Sequence, residues 1–453
     1  MAHLLRRAGF GAGAEELDSW CALGYQNAVE TLLNPAPDAS PYGSCAADDV
    51  ISRYLVASAG AQQHDHGAPA WAWRLYTSPR PLEEKIALFW HGLFATGGTK
   101  YPMHARGQLA QIEMFRRFGL GSFERLLLEL SRDPAMLVWL DNQHNHKDAP
   151  NENYGRELLE LFSMGRGNYT EDDVKAAARA FTGWTFRPMG SYFFLGPLRA
   201  EFHFDPDDHD DGEKTFLGRT GAFDGHDIIA IIVAQPATAH FLCRRLYQFF
   251  AADSPGADGE VCIENLTEVF RASGYEIRAV LRALFLSEHF AAMRYRKVKS
   301  PAELVFGTAR LTRRWTIPDH DFAGLAPDVA SMGQTLLNPP SVEGWHEGEE
   351  WIDSACLVER INFASAALTR RDAPGVACML TRIRAAGPRL RSAALLDACL
   401  GALGSIELTQ TTREVLIDHV SRQGPIDFEA AGAEHRAVEL LAAIVSTADY
   451  QYC

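Results

Sequence analysis

No uninterrupted apolar run approaches the roughly 20 residues needed to cross a bilayer, so the sequence offers no transmembrane segment. The first ten residues carry Arg6 and Arg7 with no apolar stretch behind them, so no signal peptide is expected within these residues, which leaves open an export segment ahead of them. Positive charge is also short: 43 Lys and Arg stand against 58 Asp and Glu, a formal charge of −15 with neutral His. That balance argues against nucleic acid or a polybasic membrane surface as the general partner. Eight cysteines are scattered without a C-x-x-C or C-x-x-C-H, which removes zinc–thiolate sites and covalent haem; they read as small buried hydrophobes or as disulfide partners, since spacing in a chain this long does not fix pairing. G-x-G-x-x-G, Walker A, H-E-x-x-H and G-x-S-x-G are absent as well. There is thus no nucleotide motif and no anchor for a serine nucleophile.

What is present is a folding composition, with 47% hydrophobic, 22% charged and 10% aromatic residues. The 453 residues allow several domains or one long helical body. The periodic signal is helical. Phe123, Leu126, Leu127 and Leu130 fall at i, i+3, i+4 and i+7 behind a capping Ser122. Pro81 opens an almost wholly apolar helix from Leu82 to Phe94. Thr170, followed by Glu171, Asp172 and Asp173, caps a helix that Gly183 stops. Further helices are expected at Ile228–Val233, Ala237–Phe250, Ile263–Ala272, Ile277–Leu286, Ala302–Thr312, Asp353–Leu368, Leu390–Leu403 and Glu434–Ser446. Only Ser191–Leu195 and Ala200–Phe204, separated by Gly196-Pro197, suggest a hairpin. The expected fold is mainly α, a multi-helical globular body with at most that small β-hairpin. A composition shift near Arg370 to Gly375 divides it into a main helical domain, 1–369, and a C-terminal helical segment, 370–453, packed on it.

Polar chemistry concentrates in long connections, of which Cys45–Gly67, Asp141–Asn153, Phe202–Thr220 and Gly333–Trp351 stand out. On a helix starting near Asn153, Glu157 and Glu160 share a face beside Arg156. Apolar Leu158, Leu159, Leu161 and Phe162 around them imply that a carboxylate enters a partly buried setting and needs a partner. They read either as an Arg156–Glu160 surface ion pair or as metal ligands and acid–base groups beside Asn151-Glu152-Asn153. The stretch from Glu201 to Gly218 is rich in carboxylates and imidazoles without EF-hand spacing, and reads as a solvated acidic loop or as divalent-ion ligands. His91, alone among aromatics, reads as a core residue or a ligand. Lys100, His104, Arg106 and Arg116 read as an anion site or as the decoration of a helix.

Several motifs together carry a resemblance. They are His3 to Gly11, Lys85 to Ala95, Asp133-Pro134-Ala135-Met136, Pro150 to Asn153 with Arg156-Glu157-Leu158, and Tyr169-Thr170-Glu171. Thr182-Gly183-Trp184, His209-Asp210 with Lys214 to Gly218, Gly333 to Leu336 with Asn338-Pro339-Pro340, and Gly344-Trp345 complete them. In this order, over about four fifths of the chain, the sequence resembles the bacterial family called domain of unknown function 1800. The resemblance implies a helical protein, often exported to the periplasm or beyond, and often encoded beside a sulfatase-like exported partner. It implies no reaction.

Two functions are expected from these residues. In the first, the loops Asp141–Asn153 and Phe202–Thr220 converge with His91 on one cleft. Glu157, Glu160, His209 and Asp210 hold a divalent metal ion there, in a hydrolase or oxidoreductase acting on an extracellular or cell-surface polymer or peptide. His91, Arg156, Glu157 and Lys214 are its catalytic candidates, and Asn151, Glu152 and Trp184 its substrate contacts. In the second, the chain is a non-catalytic partner or scaffold for the sulfatase-like protein, its polar motifs a buried network and Trp71, Trp73, Trp345 and Trp351 its docking surface.

Overall fold

The computed structural model describes residues 1–35, 67–98, 104–189 and 199–453. Across them the chain is mainly α, helix following helix, with three short two-stranded antiparallel sheets between. The helix Pro81–Leu93 is buried on nearly every side, as its apolar sequence requires. Helices Gly67–Thr77 and His104–Phe118 pack against it. Its Trp90 stacks between Phe94 and Phe123, with ring centroids at 5.0 and 5.9 Å. The indole Nε1 donates to the carbonyl of Gly119 at 2.9 Å, so the buried ring keeps its polar atom satisfied.

The expected stripe on Phe123–Arg132 is fully buried at Phe123, Leu126, Leu127 and Leu130, and Ser122 accepts from the amide of Arg125. Each such side chain contributes about 1.5–3 kcal/mol by leaving water. Asp133 caps the next helix, Pro134–Trp139. Asn153–Glu160 then packs on Glu171–Ala180 through Gly155, where a Cβ would meet the backbone of Ala178 and Val174 at 3.1–3.2 Å. Thr170 and Asp173 close a capping box at the start of Glu171–Ala180. Farther on, Pro301–Thr312, Ser354–Thr369 and Ala433–Val445 pack together.

Several expectations are corrected. Ala200–Phe204 is extended, within Arg199–Phe204, but its partner is Trp184–Met189, in a register that sets Trp184 opposite Phe204. Ser191–Leu195 lies outside the described residues, as does Cys45 to His66, while Gly67 opens a helix. Two further ladders, Lys214–Phe216 with Arg219–Gly221 and Arg389–Leu390 with Ile426–Asp427, are too short to show an alternating pattern in sequence. The helix expected at Ile263 begins at Gly256, because its first turns are small and polar and lack an apolar stripe. The seven described cysteines are free, and Cys243, Cys262, Cys399 and Cys453 are buried. No single helix among the described residues is long and apolar enough to cross a membrane.

Candidate functional site

The connection after Pro134–Trp139 is built by asparagines. Asn142 and Asn145 are both buried. Asn142 Nδ2 donates to the carbonyl of Trp184 at 2.9 Å, and Asn145 Nδ2 to that of Ala178 at 2.8 Å. Asn145 Oδ1 in turn accepts the amide of Asn151 at 2.8 Å. Asn151 Oδ1 accepts the amide of Asn153 at 3.0 Å, at the mouth of the helix Asn153–Glu160. These side chains tie a stretch whose regular structure is one 3-10 turn, Asn142–His144, to the end of Glu171–Ala180, as buried backbone groups require. Asn151, expected to contact substrate, is thereby part of the scaffold. So is Trp184, buried edge-on against Phe181 and Phe202.

The two polar loops do meet, through residues other than those expected. His146 Nδ1 lies 2.5 Å from Asp208 Oδ2, the amide of Lys147 donates to Asp208 Oδ1 at 3.1 Å, and Lys147 Nζ donates to the carbonyl of Asp207 at 2.6 Å. Gly183, at φ 75°, is required where the loops cross, since a Cβ would fall 2.4 Å from the carbonyl oxygen of Asp205. Next to this crossing, buried His209 donates from Nδ1 to the carbonyl of Thr182 at 2.9 Å. Arg179 grips Asp210 with Nε at 2.6 Å and Nη2 at 3.2 Å. Hydrogen bonds from that guanidinium hold the Asp210 carboxyl below the usual carboxylate range. Lys214 is buried, with Nζ donating to the carbonyls of Asp210 and Gly212.

Glu157 and Glu160 occupy a different neighbourhood. Glu160 accepts from Tyr169 Oη and from Arg166 Nε, each at 2.6 Å, and these bonds hold its carboxyl low, that from Tyr169 foremost. Glu157 is half-buried. Burial raises it above the usual carboxylate range, and the neighbouring carboxylates Glu160 and Glu343 raise it further, against the pull of Arg156 and Arg166. No hydrogen bond reaches its carboxyl among the described residues. Arg156 does not pair with Glu160 as one reading expected. It grips Glu171 with two bonds of 2.8 Å and Glu152 with one of 3.0 Å, so Glu152 too is an ion-pair partner. Arg166 reaches across to Glu343 at 3.5 Å, bringing the Gly333–Trp351 connection to this face.

His91 is fully buried, held edge-on between Trp71 at 5.5 Å and Trp345 at 5.3 Å. Among the described residues neither ring nitrogen makes a hydrogen bond of good geometry, though Gln111 lies close enough to oppose the effect of burial on the ring. Gln111, its polar neighbour, already donates to Asp133 and accepts from Thr96, each at 2.7 Å. Burial pushes the imidazole down to about 3, so it is neutral at physiological pH. Burial likewise pushes the Asp133 carboxyl up to about 7.

The single cleft expected from the sequence is therefore divided. Glu157 and Glu160 both feel the charges of Arg156 and Arg166, whereas His209, Asp210 and Lys214 gather around Thr182 and Arg179, and among the described residues no hydrogen bond or ion pair joins the two groups. No three His, Cys, Asp or Glu side chains among the described residues are arranged to hold a metal ion. Trp71, Trp73 and Trp351 are buried, which removes them as a docking surface, while Trp345 is partly exposed over His91. Of the anion-site candidates, Lys100 lies outside the described residues, and Arg116 pairs with Glu84 at 2.8 Å and Glu113 at 2.7 Å.

The sequence reading missed a buried ionic cluster in which Arg7 and Lys85 share Glu303. Its signal was available: a lysine inside the apolar run Leu82 to Phe94 demands a buried partner. Ser300-Pro301-Ala302-Glu303 also has capping-box spacing.

A family model described as protein of unknown function (DUF1800) matches residues 3–452, nearly the whole chain. No curated protein and no solved structure matches.

Proposed function

The chain belongs to this family, whose description assigns no activity, and we propose from the geometry of the Glu157 face that it is a hydrolase acting on a polymer or peptide. One observation carries the reading. Two carboxyls three residues apart on one helix are driven in opposite directions, Glu157 up and Glu160 down. Residues so spaced have Cβ atoms about 5–6 Å apart, close enough to act on one bond and one water. Glu157, with no hydrogen bond to hold it ionised, donates the proton to the leaving group. Glu160, kept as carboxylate by Tyr169 and Arg166, supports developing positive charge or orients the attacking water. Arg166 and Glu343, both exposed, border this face, and such open polar walls suit a chain-like substrate. Carboxyls move protons rather than electrons, so the face favours hydrolysis over redox chemistry. No step is assigned to a metal.

A second reading, the non-catalytic partner of a sulfatase-like protein, is favoured by a different observation. His209, Asp210, Lys214 and Arg156 are each committed to internal bonds, and His91 is enclosed. The deciding experiment compares wild type with Glu157→Gln and Glu160→Gln on a panel of polysaccharides and peptides. The hydrolase reading expects both variants to lose about 10²–10⁴-fold in rate while unfolding as wild type does. Wild-type turnover that survives Glu157→Gln overturns that site. Absence of turnover across the panel, with stoichiometric copurification of a sulfatase-like protein, establishes the second reading.

A further inference from the structure

Away from the Glu157 face, the helices Ala2–Arg7 and Pro301–Thr312 meet the last residues of the chain around an excess of positive charge. Arg7 and Lys85, both fully buried, share Glu303, and Lys297 pairs with Asp253 at 2.6 Å. Three further cations have no carboxylate at ion-pair distance among the described residues. Fully buried Arg360 donates Nε to Gln451 Oε1 at 2.8 Å and Nη2 to the carbonyl of Lys299 at 2.7 Å, and its Nη1 has no partner among the described residues. Lys299 Nζ donates to the carbonyl of Tyr450 at 2.6 Å and stands 3.6 Å from the centre of that ring. Arg6 donates to the carbonyl of Gly404 at 3.3 Å and to the hydroxyl of Tyr295 at 3.1 Å.

Charges withdrawn from water are ordinarily paired, because an uncompensated one costs several kcal/mol. Here two of the three border a cleft. Arg6 and Lys299 line it together with Phe10, Tyr295, Tyr450 and Tyr452. The cleft gives about 40 Å³ to the centres of water-sized molecules, against roughly 10–15 Å³ for one water. That is room for a compact group of a few heavy atoms. Two carboxylates also stand on its wall, and both are engaged. Glu303 is held by Arg7, Lys85 and the amide of Ser300, and Asp449 by the amide and hydroxyl of Thr409.

We propose that this cleft binds a small oxyanion, the phosphate, sulfate or carboxylate group of a ligand, between Arg6 and Lys299. The guanidinium and ammonium supply charge-assisted donors to its oxygens, and the Tyr295 hydroxyl supplies a further one. Phe10, Tyr450 and Tyr452 border the group and strengthen those bonds by excluding water.

The test is isothermal titration of the full chain with phosphate, sulfate and acetate, each against chloride at constant ionic strength, alongside thermal unfolding. One saturable site is expected for at least one oxyanion, with a matching rise in Tm. Preference for phosphate and sulfate identifies a tetrahedral ligand, and preference for acetate identifies a carboxylate. Arg6→Gln and Lys299→Met are expected to weaken binding at least tenfold, and Lys175→Gln, on the exposed face of Glu171–Ala180, to leave it unchanged. If Arg6→Gln does not fold, Lys299→Met decides, since it keeps the apolar stem over Tyr450. Equal response to chloride, no saturable site for any of the three oxyanions, or undiminished binding in Lys299→Met overturns the proposal.

Discussion

Replacing Glu303 by Gln keeps its shape and removes the one negative charge that Arg7 and Lys85 share. Arg7 Nη1 lies 3.0 Å from Glu303 Oε1, Lys85 Nζ contacts the same oxygen, and Oε2 accepts the amide of Ser300 at 2.7 Å. All three side chains are buried. Breaking one member out of such a group costs about 3–5 kcal/mol. Lys85 can escape part of that cost, because burial already pushes it down to about 8 and losing Glu303 lowers it further. Arg7 cannot shed its proton, so the cost stays substantial.

At about 2 cal/mol/K of unfolding entropy per residue, 1 kcal/mol corresponds to about 1 °C for a chain of this length unfolding as one unit. Calorimetry at pH 7 is therefore expected to show a Tm lower by about 3–5 °C. The pH dependence separates this origin from a packing defect. Lys85 and Arg7 hold Glu303 far below its ordinary value of 4.5. Its stabilising contribution is thus complete above that value and falls as acid protonates the unfolded chain. The gap between wild type and variant is expected to close by about 1.4 kcal/mol per pH unit below roughly 4.5. Removing Lys85 as well, as Met, restores part of the loss. A variant within 1 °C of wild type at pH 7, or a gap that stays constant down to pH 3, refutes the argument.

Three other outcomes follow from the same geometry. Glu157→Gln should not lower Tm at pH 8, because it relieves a half-buried carboxylate beside two others. Since the folded value is raised, any gain should fade as the pH falls through that raised value and be gone below the ordinary 4.5, and thermal scans across pH read this directly. Asn145→Ala should cost about 1–3 kcal/mol, because it leaves the amide of Asn151 without its acceptor and the buried carbonyl of Ala178 with only the amide of Phe181; urea unfolding measures it, and a change under 0.5 kcal/mol contradicts the scaffold role. Gly344→Ala should displace the Trp345 loop, since a Cβ there would lie 2.0 Å from the carbonyl oxygen of Gly92 at a φ of 96°; an unchanged indole emission spectrum and Tm contradict that contact.

The parts of this fold that were legible in the sequence are those whose signal is local. The stripe behind Ser122, the box formed by Thr170 and Asp173, and Pro81 ahead of an apolar run each complete their pattern within a few residues. The hairpin was half legible: aromatic content marked Phe202 and Phe204, but pairing depends on a partner, and the one chosen was nearer in sequence than Trp184–Met189. The candidate site was legible as a set of residue types and not as an arrangement. Glu157 beside Glu160 follows from helical spacing alone. The union of Glu157 with His209 and Asp210 required two loops to fold onto one point, and no periodicity governs where a loop closes.

The misplaced ligands have a common physical reason. A long connection rich in Asn, Asp and His resembles a binding loop because both must place many polar atoms close together. A loop packed against helices must also satisfy its own backbone, and short polar side chains do this most economically in space. Asn142 reaching the carbonyl of Trp184, Asn145 reaching that of Ala178, and His209 reaching that of Thr182 are all of this kind. A polar side chain thus stands out as a site candidate less by its type than by what it leaves unbonded in a setting that penalises it. Judged that way, Glu157 keeps its place, and Lys299, which drew no attention in the sequence, gains one.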